Sequence, residues 1–381
     1  MNRTALALTV AALATSTLPA AAQDVHPSMH HDYRVETVAE GLMEPWGMAF
    51  LPSGDLLVTE RGGTLRVVSD GQVSAPVGGV PDVLYQGQGG LLDVALHPDF
   101  VENRMVYLSF SKPIGDGTEA TTAVVRGVFD GGALTEVEEI FEAESRGRGH
   151  YGSRLVFDDQ GYLFISVGDR QASPSGDLES HPAQDLSNHH GVILRLRDDG
   201  TVPDDNPFVG QAGALDEIWS YGHRNAQGLV IHPETDQPWV NEHGPQGGDE
   251  VNRIVRGGNY GWPVVGYGVN YRSGSAIHDG TMREGMIHPE HVWVPSIGVS
   301  GMIVYTGDAF PEWQGDLFNG GLSGTQIARL EMDGEEVVRE ETLLLNVARV
   351  RDLEQGPDGY IYVALENEEA PSRLVRLVPA M

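Results

Sequence analysis

The sequence predicts an all-β protein: a six-bladed β-propeller of four-stranded antiparallel blades, its ring closed by the amino-terminal strand. Three observations carry this. Helical periodicity is scarce, while glycine (49 residues) and proline (22) are plentiful. An apolar strand, a Pro/Gly/Asp turn and a second apolar strand return six times along the chain. Repeats of about 40–50 residues made of short strands signal a propeller, with longer spacings absorbed by loop insertions. A two-sheet sandwich is the alternative, and it leaves six phased repeats unexplained.

Residues 1–22 read as a secretory signal peptide: Arg3, an apolar run from Ala5 to Ala14, and Ala20-Ala21-Ala22 as the cleavage site. The run is too short to span a bilayer. Residues 23–32 are expected to be a flexible segment, and His26, His30 and His31 within it a disordered tail rather than a metal site. The propeller domain occupies 33–381. YRVETVAE from Tyr33 precedes the first full repeat and is expected to complete the last blade, removing an exposed edge.

The repeats start at Trp46 (WGMAFLPSGDLLVTE), Leu91 (LLDVALHPDFVENRMVYLSF), Ser153 (SRLVFDDQGYLFISVGD), Gly228 (GLVIHPETDQPWVNEHG), Gly301 (GMIVYTGDAFPEWQGDLFNGG) and Asp352 (DLEQGPDGYIYVALEN). GTLRVVSDG from Gly63, TAVVRGVFDGG from Thr122 and VILRLRDDG from Val192 read as third strands of the first three blades. QIARLEMDG from Gln326 does the same for the fifth, and RLVRLV from Arg373 closes the chain. The two widest gaps, after Ser153 and after Gly228, are expected to hold loops that shape one face.

Composition narrows the chemistry. Cysteine is absent, which excludes disulfides, thiolate metal sites, cysteine nucleophiles and covalent c-type haem. A net charge of −31 argues against nucleic acid and anionic membranes as partners. Lys112 stands alone against 23 arginines, so an anionic ligand requires locally gathered arginine.

Chemistry-bearing residues share one phase of the repeat. The first strand of each blade lines the channel, so residues just before it ring one mouth: Gln88, His150, Arg224-Asn225, Ser300, Arg349 and Arg351. Second strands end at the same mouth with Asp169 and with Glu242-His243-Gly244-Pro245. Folding the third repeat about the turn Asp158–Gly161 sets His150 opposite Asp169, a carboxylate beside an imidazole as in a general base. The bland reading is a hydrogen-bonded pair closing a hairpin. Arg349 and Arg351 share one strand face; an anionic ligand lies between them, or else they pair with Asp352 or Glu354. HGPQGGDEVNRIVRGGNYGWP, from His243, reads as a Gly-rich acidic turn whose oxygens suit Ca²⁺. No G-x-S-x-G elbow and no G-x-G-x-x-G opening a helix is present.

Taken in order, GQGGLLDVALHPDF, SRLVFDDQGYLFISVGD, YGHRNAQGL, EHGPQGGDE, GGNYGWP, GMIVYTGDAFPEW and RVRD resemble the soluble pyrroloquinoline quinone (PQQ)-dependent aldose sugar dehydrogenases, relatives of soluble glucose dehydrogenase. The resemblance covers nearly the whole chain after the signal peptide. It implies PQQ with Ca²⁺ at one end of the channel and oxidation of aldoses at C1 to lactones. It implies His150 as the base, Asp169 orienting it, and Arg224 polarising the quinone. It implies Gln88, His150, Arg224, Asn225, Ser300, Arg349 and Arg351 as cofactor-binding residues. Gly244 and Pro245 would hold the cofactor's Ca²⁺, with Glu250 and Tyr260 matching a second site. Ser323 stands in the place of the family's cofactor-gripping lysine, and Asn270 where a further acidic ligand is expected. A sugar and a separate electron acceptor are the implied partners, and the periplasm or the exterior the implied location. A Ca²⁺-dependent lactonase and a non-catalytic ligand-binding propeller are the rival readings.

Overall fold

A computed structural model describes residues 24–367 and 371–380; the signal-peptide reading of 1–22 falls outside the described residues. Six antiparallel sheets follow one another around a ring. From channel to rim, blade one is Pro45–Phe50, Leu56–Glu60, Thr64–Ser69 and Gln72–Val73; blade two is Leu91–Leu96, Met105–Ile114, Glu119–Phe129 and Leu134–Glu142. Blade three is Leu155–Phe157, Leu163–Val167, Val192–Leu196 and Ile218–Tyr221; blade four is Ala226–Ile231, Pro238–Glu242, Asp249–Arg253 and His291–Trp293. Blade five is Val299–Val304, Leu317–Gly321, Gln326–Asp333 and Glu336–Leu343. Blade six is Arg349–Gln355, Ile361–Glu366 and Ser372–Pro379, completed by Tyr33–Leu42. Each inner strand packs against those of both neighbouring blades.

Blades pack face to face, so their middle strands are covered on both sides and need no polar alternation. LFISV (Leu163–Val167) and VILRL (Val192–Leu196) are buried throughout. The core is a set of wedges between adjacent blades: Leu57 and Leu65 of blade one meet Leu108 and Val125 of blade two, and Phe318 and Ile327 of blade five meet Val363 and Val375 of blade six. Each fully buried aliphatic or aromatic side chain of this kind stabilises the fold by about 1.5–3 kcal/mol. Repeated around the ring, that burial stabilises a chain without disulfides.

Closure is by Tyr33–Leu42, antiparallel to Ser372–Pro379 with Val35 opposite Leu377. Two expectations need correction. The segment 23–32 is docked rather than loose over its described part: Val25–His26 adds a short fifth strand against Tyr33 and Arg34. The Met29 N–H donates to Glu341, and His31 packs edge-on against Phe310 and Trp313 while pairing with Glu312. The apolar pocket around buried Trp313 holds this segment down. The second correction lies in the Gly-rich stretch read as a turn, because Asp249–Arg253 is the third strand of blade four.

At the cavity end, the inner strands of blades one, two, four, five and six each carry a register shift: at Pro45/Met48, Leu91/Val94, Ala226/Gly228, Val299/Met302 and Val350/Asp352. Bulges re-aim side chains at the rim of a barrel-like ring.

Candidate active site

Two cavities occupy opposite ends of the channel. The larger, about 800 Å³, lies at the carboxyl ends of the inner strands among Asp93, Arg154, His232 and Glu354. The other, about 530 Å³, lies at their amino ends, where the polar residues converge; its lining includes Gln88, Asn225, Gly244, Pro245, Arg349 and Arg351. Size does not decide between them. The second gathers the sequence-predicted residues, with His150 next to its lining residues Gln88, Tyr151 and Gly152.

The hairpin of blade three builds that pair. Leu155 faces Ile165 and Phe157 faces Leu163, one residue out from the register expected for a four-residue turn. Asp158 is the cause: its carboxylate accepts the Gln160 and Tyr162 N–H groups, and its main chain pairs with Tyr162, widening the turn. Toward the open end, Gly152 and Ser153 take positive φ (63° and 78°), and Ser153 N–H donates to Ser166 O. That irregularity undoes the offset. His150 Nδ1 and Asp169 Oδ1 come within 2.5 Å.

Asp169 is 1% exposed and fully engaged, accepting also from Gln171 N–H (2.9 Å) and the Trp262 indole (2.8 Å). His150 and Arg224 hold its carboxyl below the ordinary range against the opposing effect of burial. An ionised Asp169 fixes the proton on Nδ1 and leaves the Nε2 lone pair for chemistry. Burial pushes the His150 imidazole down, Asp169 opposing and Arg224 and Arg170 assisting, so it is neutral at neutral pH. Its main-chain N–H donates to Gln88 Oε1 at 2.6 Å.

Arg224 enters from the turn before blade four. Its carbonyl accepts the Asp169 N–H, its own N–H donates to Glu242 (2.6 Å), and Nη1 donates to Gly244 O (2.6 Å) and His243 O (3.2 Å). The guanidinium lies over Trp262, and its buried Nε has no partner. His243 donates to Val299 O, and burial pushes it down to about 4, so it adds no charge. Asn225 accepts from Gly152 N–H at 3.1 Å and lines the cavity.

The arginine pair meets a carboxylate that the sequence reading did not name. Arg351 donates from Nε (2.8 Å) and Nη2 (2.7 Å) to Glu366, and Arg349 Nε lies 3.8 Å from the same oxygen. Neither Asp352 nor Glu354 is the partner; Asp352 meets Arg154 at 3.0 Å. One carboxylate is thus shared by two guanidinium groups on the cavity wall. Arg61, not foreseen, lines the same wall and pairs with Glu44 (2.9 Å). Trp46 also lines the cavity, with Arg154 stacked on its ring at 4.5 Å. Ser323 lines it too. Ser300 does not: its hydroxyl donates to Val350 O at 2.7 Å, tying blade five to blade six.

Glu250 and Tyr260 are brought together around a separate cavity of about 20 Å³, with Gly222 and Glu242. That volume suffices for one small occupant. Asn252 donates to both Glu242 (3.1 Å) and Glu250 (3.3 Å), so two carboxylates converge. Burial and the Glu242 charge push Glu250 well above the ordinary range. The Tyr260 hydroxyl is occupied by Val255 N–H and Arg253 O, and Asn270 binds Ser275 in its own loop. Among the described residues no three His, Asp or Glu side chains gather as a metal cluster, and His26, His30 and His31 are not one.

The Glucose / Sorbosone dehydrogenase family model matches residues 42–376. The aldose sugar dehydrogenase YliI of Escherichia coli (strain K12) is 43% identical over 355 residues, covering 91% of this chain and 92% of its own. The apo-form crystal structure of the E. coli soluble aldose sugar dehydrogenase superposes with a TM-score of 0.85 at 40% identity, over 91% of this chain and 100% of that one. A PQQ-bound aldose sugar dehydrogenase from Streptomyces coelicolor gives 0.75 at 28% identity, over 91% and 98%. The chain therefore belongs to the Glucose / Sorbosone dehydrogenase family.

Proposed function

We propose that this protein is an exported, PQQ- and Ca²⁺-dependent dehydrogenase that oxidises aldoses at C1 to lactones and passes the electrons to a separate acceptor. Family membership makes it a PQQ-dependent sugar dehydrogenase acting on aldoses. The observation carrying the finer reading is the His150–Asp169 pair behind a cavity walled by Arg61, Arg349 and Arg351.

The residues present fit the cofactor. A flat anion with three carboxylates suits a cavity with an aromatic wall at Trp46, amides at Gln88 and Asn225, and guanidinium forks at Arg61, Arg349 and Arg351. Arg61, which lines the cavity, adds an Nε without a partner. For Ca²⁺ the Pro245 carbonyl offers a hard but neutral oxygen, and the Gly244 carbonyl would join it only by giving up its bond from Arg224 Nη1. A dication held this way needs anionic charge brought by the cofactor, so the two would bind together. A second cation between Glu242 and Glu250 would relieve two crowded carboxylates.

When bound, PQQ supplies the hydride acceptor and Ca²⁺ the Lewis acid. The chain's own groups do the rest. His150 Nε2 takes the proton of the sugar's C1 hydroxyl, Asp169 holds the ring and stabilises the imidazolium that forms, and Arg224 presents positive charge where negative charge develops. No helix of the described residues is long and apolar enough to cross a membrane. The test is reconstitution: purified protein titrated with PQQ, with and without Ca²⁺, against a panel of aldoses and a reducible dye. Lactone formation that requires both supports the reading; lactone hydrolysis without PQQ replaces it with a hydrolase.

A further inference from the structure

Buried guanidinium groups in this fold ordinarily meet a carboxylate, as Arg154, Arg195, Arg329 and Arg351 do with Asp93, Asp205, Asp316 and Glu366. Arg170 and Arg224 form no ion pair with a carboxylate among the described residues, and these two flank His150. Arg170 is 5% exposed. Its Nη1 donates to the His150 carbonyl, its Nη2 to Thr122 Oγ1, its face lies 4.7 Å from the Tyr151 ring, and its Nε has no partner. Burying a cation this way is costly, and a chain keeps such a group for what it holds.

What it holds is strained backbone. His150 has φ of +46°, a region that bulky side chains avoid. Its N–H is fixed by Gln88 and its C=O by Arg170, so both main-chain polar groups are clamped from opposite sides. We propose that Arg170 is a positioning residue for the oxidation, clamping His150 in its left-handed conformation and standing as a fixed positive charge that disfavours imidazolium. The inference rests on the reading of His150 as the base. Three charged groups act on the imidazole: Asp169 favours its protonation, while Arg224 and Arg170 oppose it; nearby His243 is itself neutral. Burial pushes Arg170 down to about 10, so it remains charged at neutral pH.

The test compares Arg170→Met and Arg170→Lys by two readouts: the pH profile of kcat/KM in the reconstituted enzyme, and the histidine ring NMR titration of the protein without cofactor, with His150 assigned by its loss in His150→Gln. In Arg170→Met, kcat should fall about 10-fold or more, as for a misplaced reacting group. Both the acid limb and the His150 titration should move to higher pH, with PQQ affinity unchanged. Arg170→Lys should restore the pH position and recover kcat only in part, because the fork is gone. Wild-type titration and profile in Arg170→Met, with only the melting temperature lowered, would overturn the proposal. If Arg170→Met does not fold, Arg170→Lys decides: reduced kcat at unchanged PQQ affinity supports the clamp, and wild-type kcat refutes it. A wild type that oxidises no sugar sinks the functional reading instead, and the NMR titration then decides on Arg170.

Discussion

His150 Nδ1 lies 2.5 Å from Asp169 Oδ1, and the other oxygen of that carboxylate is held at 2.8 Å by the Trp262 indole. Trp262 comes from the long insertion of blade four and His150 from the approach to blade three. The His150 imidazole is therefore oriented by a contact between blades.

Asp169→Asn keeps the shape and removes the charge. The imidazole loses the partner that favours its protonation, so its pKa falls further below the ordinary histidine range. Since the neutral ring is the active form, the acid limb of kcat/KM should move to lower pH while the plateau drops by roughly 10²-fold or more. A pH–rate series on both proteins reads the two effects separately. An unchanged plateau would remove Asp169 from the mechanism.

Arg351→Ala should weaken PQQ binding by about 10–100-fold, the range expected for a lost charge-assisted fork. It also leaves buried Glu366 with Arg349 at 3.8 Å in place of a two-bonded fork, so the melting temperature should fall. Adding Glu366→Gln should recover stability but not affinity. Fluorescence titration with PQQ and thermal melts distinguish the two. With cofactor saturating, kcat should stay within a few-fold of wild type.

Millimolar Ca²⁺ should raise the melting temperature in the absence of PQQ, by occupying the space between Glu242 and Glu250. Glu250→Gln should abolish this increment, and a chelator should reverse it in the wild type. An increment that survives Glu250→Gln would place the stabilising ion elsewhere.

Asp352 is buried between Arg154 and the Met48 N–H, and burial pushes it up to about 7 from an ordinary 3.8. A raised folded-state pKa contributes stability that is complete below the unfolded value and is lost as pH rises through the folded one. Asp352→Asn has no such loss. Its melting temperature relative to wild type should therefore improve from pH 5 to pH 8, with about 3 kcal/mol as the upper bound over the two units below pH 7. A difference independent of pH would show that Asp352 does not titrate there.

The repeat pattern carried the ring, because phased strand–turn–strand runs fold blade by blade. Folding each repeat about its turn also carried the contact between His150 and Asp169, although by two cancelling irregularities: the Asp158 turn and the positive-φ step at Gly152-Ser153. The same operation on the sixth repeat would have found Glu366, which is the cross-strand partner of Arg349. Ser300 failed for the opposite reason. It has the right phase, but the bulge at Val299/Met302 accompanies a hydroxyl turned to Val350. Trp262, Arg61 and Arg170 reach the site from loops, where no strand period announces the direction of a side chain.

The most direct test of the account is kcat of His150→Ala at saturating PQQ, Ca²⁺ and aldose, with cofactor occupancy checked by absorbance. A fall of at least ~10²-fold with the cofactor fully bound is the expected result. Turnover near the wild-type rate would contradict the assignment of His150 as the base.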